Sequence, residues 1–317
     1  MQPYYDLITE VLRKGSRQSN RTGIDTIRLP YGSMMRYDMN DGFPLETRRR
    51  MTFKGCKGEL VGFLRAAESA ADFRALGCNF WNQNANENKA WLANPLRKGE
   101  DDLGRIYGAQ WRRWLGDTEF RVESHLPESE RSPFRVVQNG KEFGVYMVPF
   151  DQIKAALETI HTNPTDRGII INAWRPDEFR SMALRPCHVL YQFTVDVQAH
   201  EISLCMYQRS ADMFLGVPMN IASSALLLKI FGHLTGYKPR YFTHFIDDAH
   251  IYVNHLDQVN ELLARTSFEA PTVRFSERIK PYDGKFFNPH LIDAIGPEDI
   301  ILENYQSHDA ISAPMAV

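Results

Sequence analysis

The chain has 317 residues, 43% of them hydrophobic and 24% charged, with a formal net charge of -2 at pH 7. This suits a globular protein with a substantial core, and the slightly acidic balance argues against a general nucleic-acid or membrane binder, which is usually basic. The four cysteines are scattered without a CxxC pair, so neither a disulfide framework nor a zinc site is expected, and a reducing cytoplasmic setting is the default.

In chain order, the opening "MQPYYDLITEVLRKG" lacks the apolar region of a signal peptide. Tyr4, Ile8, Val11 and Leu12 recur at helical spacing and predict an amphipathic helix over 4–13. A strand-like run follows at 27–37, then helical patterns at about 56–66 and 68–76. Residues 86–102 and 117–142 read as surface excursions, the second rich in Glu, Ser, Pro and Arg. A helix is predicted over 151–161, strands over 169–174, 189–197 and 202–208, and helices over 220–235 and 257–264. No stretch is read as approaching the ~18 apolar residues of a membrane span. No repeat, low-complexity tract or long linker divides the chain, so one domain over 1–317 is expected, with 86–102 and 117–142 as insertions. Interspersed strands and helices favour an α/β or α+β layered fold.

The runs 189–197 and 202–208 are separated by "QAHE" and predict an antiparallel hairpin. Folding it back brings 208–212 near 187–191, and so Arg209, Ser210 and Asp212 near Cys187. A Cys at the start of a buried strand is ordinarily a packed small hydrophobe. Its neighbour His188 does not change that, because successive strand side chains point to opposite faces. Arg209 does, since a guanidinium beside a thiol favours the thiolate.

Several long motifs then occur in order: "NRTGIDTIRL", "GELVGFL", "DDLGRIYGAQWRRW", "LRPCHVLYQF", "LCMYQRSADMFLGVPMNIASSALLL", "DDAHIYVNH" and the terminal "APMAV". Together they resemble thymidylate synthase over most of the chain, leaving mainly 117–142 unmatched. The resemblance implies a mixed twisted β-sheet flanked by helices, with the sheet at a homodimer interface. It implies reductive methylation of dUMP by 5,10-methylenetetrahydrofolate, a cosubstrate that also acts as reductant, with no metal. Cys187 would be the thiolate that adds to C6 of the pyrimidine, and covalent addition makes C5 enolate-like. Glu59, on a largely apolar helix, would serve proton transfers with a raised pKa. Tyr107 and His188 complete the implied catalytic set.

Asn220 precedes an apolar helix, where an N-cap is the plain reading, and Gly236 supplies the helix stop. In the family an Asn here donates to O4 and accepts from N3–H of uracil, which an amide can do at once; the related cytidylate hydroxymethylases carry Asp. Phosphate recognition is implied for Arg21, Arg209, Ser210 and Arg167, the last from the partner subunit. His250 and Tyr252 would bind the ribose 3′-hydroxyl; a metal reading of His250 and His255 fails for want of a third ligand. Trp81, Leu184, Asp212, Leu215 and Ala316 would hold the folate, although Trp81 read alone would be placed in the core.

Gly168 stands where a second arginine is usual, and the "RRR" run at 48–50 is a candidate to complete the phosphate site. Asn84, Met219 and Asp247 replace a usual Trp, Phe and Gly. Two rivals remain: a deoxyuridylate hydroxymethyltransferase, which quenches the exocyclic methylene with water, and a non-catalytic nucleotide- or RNA-binding protein using the basic 48–57 patch.

Overall fold

The computed structural model describes residues 1–20, 22–121, 127, 131 and 135–315. Arg21 and Ala316, both named above as site residues, lie outside the described residues.

The first helix, α1 (Gln2–Lys14), carries Pro3 as its second residue and buries Tyr4, Tyr5, Leu7, Ile8 and Val11. A Pro within the first turn costs no helical hydrogen bond. The expected strand at 27–37 is instead two, β2 (Thr26–Arg28) and β3 (Ser33–Asp38). Pro30 lies between them and lacks the N–H a continuous ladder needs. The short β1 (Ser16–Gln18) pairs with β2.

The main sheet has the order β1-β2-β10-β9-β8-β7, formed with β7 (Ile170–Asn172), β8 (His188–Asp196), β9 (Glu201–Asp212) and β10 (Lys238–Tyr252), while β3 also pairs with β10. β9 and β10 are parallel and the other pairs antiparallel, so the sheet is mixed as expected. The parallel pair is joined by α8 (Gly216–Thr235), as a parallel connection requires a crossover. This helix starts four residues before the position expected from sequence, so Asn220 is not its N-cap. Gly236, at φ 85°, ends it with its amide on the Gly232 carbonyl. Contrary to the sequence reading, α8 is long and apolar enough to cross a membrane, but 78% of its most apolar window is buried inside the fold. It is the core helix against the sheet.

Against α8 packs α2 (Phe53–Leu64), capped by the Thr52 hydroxyl, and against α2 pack α3 (Ala70–Ala75) and α6 (Tyr107–Arg112). The α2–α6 approach is close because Gly108 has no side chain: a Cβ there would lie 2.4 Å from the Phe63 carbonyl oxygen. The 86–102 segment is not simply a surface excursion. Between α4 (Asn82–Asn86) and the 97–104 turn it forms α5 (Lys89–Leu92), whose Trp91 is 2% exposed and donates to the Asp102 carbonyl at 2.6 Å. The Asn88 amide bonds the Ala183 carbonyl, so this segment braces the approach to Cys187.

The second expected excursion is edged by β4 (Trp114–Arg121), β5 (Arg135–Gln138) and β6 (Lys141–Phe150), a separate three-stranded sheet ordered β4-β6-β5. The chain continues through α7 (Gln152–Thr162). Beyond β10 come α9 (Leu256–Ala264), the β11 (Thr272–Phe275)–β12 (Ile300–Glu303) pair and α10 (Leu291–Ala294).

Candidate active site

The site is built where the β8–β9 hairpin ends. Tyr207 of β9 pairs with Leu190 and Gln208 with His188, so the chain reversal expected from sequence sets Arg209 beside Cys187. The Arg209 amide donates to the Cys187 carbonyl at 3.0 Å. Its guanidinium is held by the Pro186 carbonyl (2.9 Å) and the Arg185 carbonyl (3.0 Å), which leaves Nη2 3.9 Å from Cys187 Sγ. Cys187 is half-buried, not sealed in hydrocarbon, and its backbone N–H donates to the Tyr107 hydroxyl at 2.7 Å. Planar donors on two fixed carbonyls hold the positive charge beside the sulfur.

Tyr107 is the hub. Its ring stacks on Phe63 at 5.0 Å and meets Trp81 and His188 edge-on at 5.7 and 5.5 Å. Burial pushes its hydroxyl well above 10, reinforced by Cys187, so it stays protonated. Glu59 on α2 faces the same hub and accepts from Trp81 Nε1 at 3.0 Å. Burial raises the Glu59 carboxyl to about 7, with the Trp81 bond opposing the shift. A carboxyl poised near neutrality both gives and takes protons. Trp81 is 5% exposed, with Phe73 stacked on its ring at 5.7 Å, so it packs into the core and orients Glu59.

His188 is buried, its Nδ1 3.2 Å from the Tyr191 hydroxyl. Burial lowers it to about 4, opposed by the Asn220 side chain, so it is neutral. Asn220, inside α8, accepts from Gln208 Nε2 at 3.1 Å. Asp212 uses Oδ1 to accept the amides of Phe214 (2.9 Å) and Leu215 (3.1 Å), which shapes the turn into α8. Leu184 and Leu215 are partly buried and pack against the core. Ser210 is half-buried, one residue beyond Arg209.

His250 pairs in register with Asp212, and its backbone carbonyl accepts the Met213 amide at 2.9 Å, tying β10 to the same turn. Burial works against its charge, yet Asp248, 3.5 Å away, raises it above 6.5. Tyr252 meets the His250 ring at 5.4 Å.

Not every expected residue converges. Arg167 is exposed on the segment before β7, and its carbonyl accepts from Gln192. Each side chain of the arginine run has a partner of its own. Arg48 lies over the Tyr5 ring, buried Arg49 donates to the Phe214 carbonyl, and Arg50 pairs with Asp309. Asp247 is exposed in ordinary extended β10, where no positive φ demands glycine. Met219 packs against the core and Asn84 lies half-buried within α4. The C-terminal tail runs along 46–51, with the His308 amide on the Thr47 carbonyl. It reaches His255, whose Nε2 lies 2.7 Å from the Pro314 carbonyl and whose ring lies beside Phe214. Gln208 and His244 were missed: "YQRS" flags the first only as part of a motif, and nothing local flags the second.

Comparison with known proteins settles the family. A thymidylate synthase family model matches residues 2–317. The chain belongs to the thymidylate synthase family. Among its relatives, the thymidylate synthase of Pseudomonas putida is 47% identical over 325 residues, covering all of both chains. That of Pseudomonas syringae pv. tomato is 45% identical, again over both full lengths. The thymidylate synthase of Herpesvirus ateles is 37% identical over 99% of this chain and 97% of its own. The similarity to the family thus also covers 117–142, the segment that the motifs read from sequence mainly left unmatched.

Proposed function

We propose that this enzyme converts dUMP to dTMP, with 5,10-methylenetetrahydrofolate as one-carbon donor and reductant and dihydrofolate as the second product. The observation that carries this is a half-exposed thiol with a guanidinium 3.9 Å from its sulfur, and a buried carboxyl raised to about 7 that faces the same tyrosine, Tyr107. The Cys187 sulfur bonds to C6 of the pyrimidine, and the ring electrons displaced toward O4 make C5 nucleophilic. Glu59 moves protons around O4 and the folate. Asn220 reads the uracil edge, Ser210 and Arg209 meet the phosphate together with Arg21, and His250 and Tyr252 meet the ribose 3′-hydroxyl. The folate supplies the carbon and a hydride when bound. Leu184 and Leu215 offer it an apolar wall, Asp212 keeps Oδ2 outside its turn bonds, and Ala316 would contribute to excluding water from it. Loss of the C5 proton expels the folate nitrogen from the transferred carbon, hydride from the folate reduces the resulting methylene to methyl and leaves dihydrofolate, and expulsion of the thiolate re-forms the C5–C6 double bond and frees Cys187.

Full-length relatives named as synthases disfavour the hydroxymethyltransferase reading and the binding-protein reading alike. Product analysis tests the choice: dTMP with dihydrofolate supports the proposal, whereas 5-hydroxymethyl-dUMP with tetrahydrofolate contradicts it.

The working form we propose is a cytoplasmic homodimer of one catalytic domain per chain. The sheet face away from α8 supports it: Met34, Phe245, Tyr207 and Leu190 pair in register across four strands, and the first three are 49, 41 and 37% exposed. A contiguous apolar row of this kind on an open sheet suits a second copy. Arg167, exposed beside the edge strand, would then reach the partner's phosphate site.

A further inference from the structure

Two fully enclosed side chains beyond those assigned roles above lead in a line to Asn220. His244, on β10, presents Nε2 to Gln208 Oε1 at 2.8 Å. Gln208, on β9, donates from Nε2 to the Ser210 carbonyl at 2.9 Å and to Asn220 Oδ1 at 3.1 Å. A backbone carbonyl only accepts, so the Gln208 NH2 must face Ser210 and its oxygen must face His244. That oxygen needs a donor, which makes His244 the neutral Nε2–H tautomer. Its Nδ1, buried and without a partner, is then the bare nitrogen. Burial, with His188 adding to it, holds His244 well below 6.5, in keeping with a neutral ring.

The consequence falls on Asn220. With a Gln208 N–H pointed at it, the Asn220 amide keeps Oδ1 on that side and turns Nδ2 the other way. Flipping would set N–H against N–H in an enclosed site, at the cost of an unpaired polar group. Uracil offers an acceptor at O4 and a donor at N3, and cytosine offers the reverse, so a flipped amide is what cytosine would need. We propose that His244 is a specificity-determining positioning residue: its Nε2–H, relayed through the Gln208 amide, locks Asn220 in the orientation that takes uracil and rejects cytosine. This rests on Asn220 being the base contact.

The test is titration calorimetry of dUMP and dCMP, without folate, on wild type, Asn220→Ala, His244→Phe and His244→Gln, with thermal melts of each. Wild type should prefer dUMP, and Asn220→Ala should erase the preference; failure of either overturns the base-contact reading itself. His244→Phe should cut the dUMP-to-dCMP affinity ratio about tenfold. His244→Gln, whose amide NH2 reaches the place of Nε2–H, should restore it to within about threefold of wild type. A lower melting temperature in His244→Phe with the wild-type ratio intact means that His244 is merely structural, and the proposal falls. If His244→Phe does not fold, 15N spectra of histidine-labelled wild type decide: a neutral Nε2–H ring at His244 supports the relay, and an Nδ1–H ring overturns it.

Discussion

Replacing Glu59 with Gln removes a buried ionisable group while keeping its shape. Burial raises this carboxyl from 4.5 to about 7, so the folded protein holds its proton more tightly than the unfolded chain does. The stability that proton binding contributes is fully present below the unfolded value and is lost as pH rises through the folded one. Linkage at about 1.36 kcal/mol per unit, integrated between those two values, makes wild type lose about 2.5 kcal/mol relative to Glu59→Gln from pH ~5 to pH ~8. Urea unfolding of both proteins at both pH values measures this. Every other titrating group cancels in the double difference, and the variant should gain on wild type as pH rises. A stability difference that stays constant within about 0.5 kcal/mol would mean that Glu59 is solvated and ionises normally, and the assignment of a proton-transfer role on grounds of burial would fail.

Trp81→Phe removes the N–H that favours the Glu59 carboxylate, so the acidic limb of kcat/KM against pH should move up by about half to one unit; an unmoved limb would show that the bond is not made in solution. Gly108→Ala drives a Cβ to 2.4 Å from the Phe63 carbonyl oxygen and 2.7 Å from its Cα, both backbone atoms that cannot swing aside. It should cost about 1–3 kcal/mol in urea unfolding and lower activity as Tyr107 shifts; wild-type stability with wild-type turnover refutes the close α2–α6 approach. Asn220→Asp should move the kcat/KM preference from dUMP toward dCMP by about tenfold or more, because an acceptor replaces the donor that meets O4. An unchanged preference removes Asn220 from base recognition.

Local patterns carried the helices and the decisive hairpin into view, because turn chemistry and two alternating runs specify β8 and β9 without outside help. Setting Arg209 by Cys187 followed from that register alone. Where the reading slipped, tertiary context had overridden a local rule. Asn220 carries a strong N-cap signal, yet Asp212 caps the preceding turn and α8 begins at Gly216. Trp91 sits amid polar residues that look like loop, but its ring finds a slot and an acceptor at Asp102. Pro30 splits a run whose apolar content suggested one strand. The roles proposed for Glu59 and Tyr107 were legible only through resemblance, since burial of a lone Glu is invisible in one sequence. His244 was not legible at all: its partner lies 36 residues away on a parallel strand, and only the β9–β10 pairing sets its ring against Gln208 and so links it to Asn220.

The central claim is a transient carbon–sulfur bond at Cys187, and the most direct measurement traps it. A 5-fluoro analogue of dUMP has no C5 proton to surrender, so with methylenetetrahydrofolate present the covalent complex should accumulate. Intact-mass and peptide mass spectrometry should then find nucleotide and folate together on the peptide holding Cys187, and neither on the Cys187→Ala protein. Attachment at Cys56, Cys78 or Cys205, or undiminished dTMP formation by Cys187→Ala, would contradict the account.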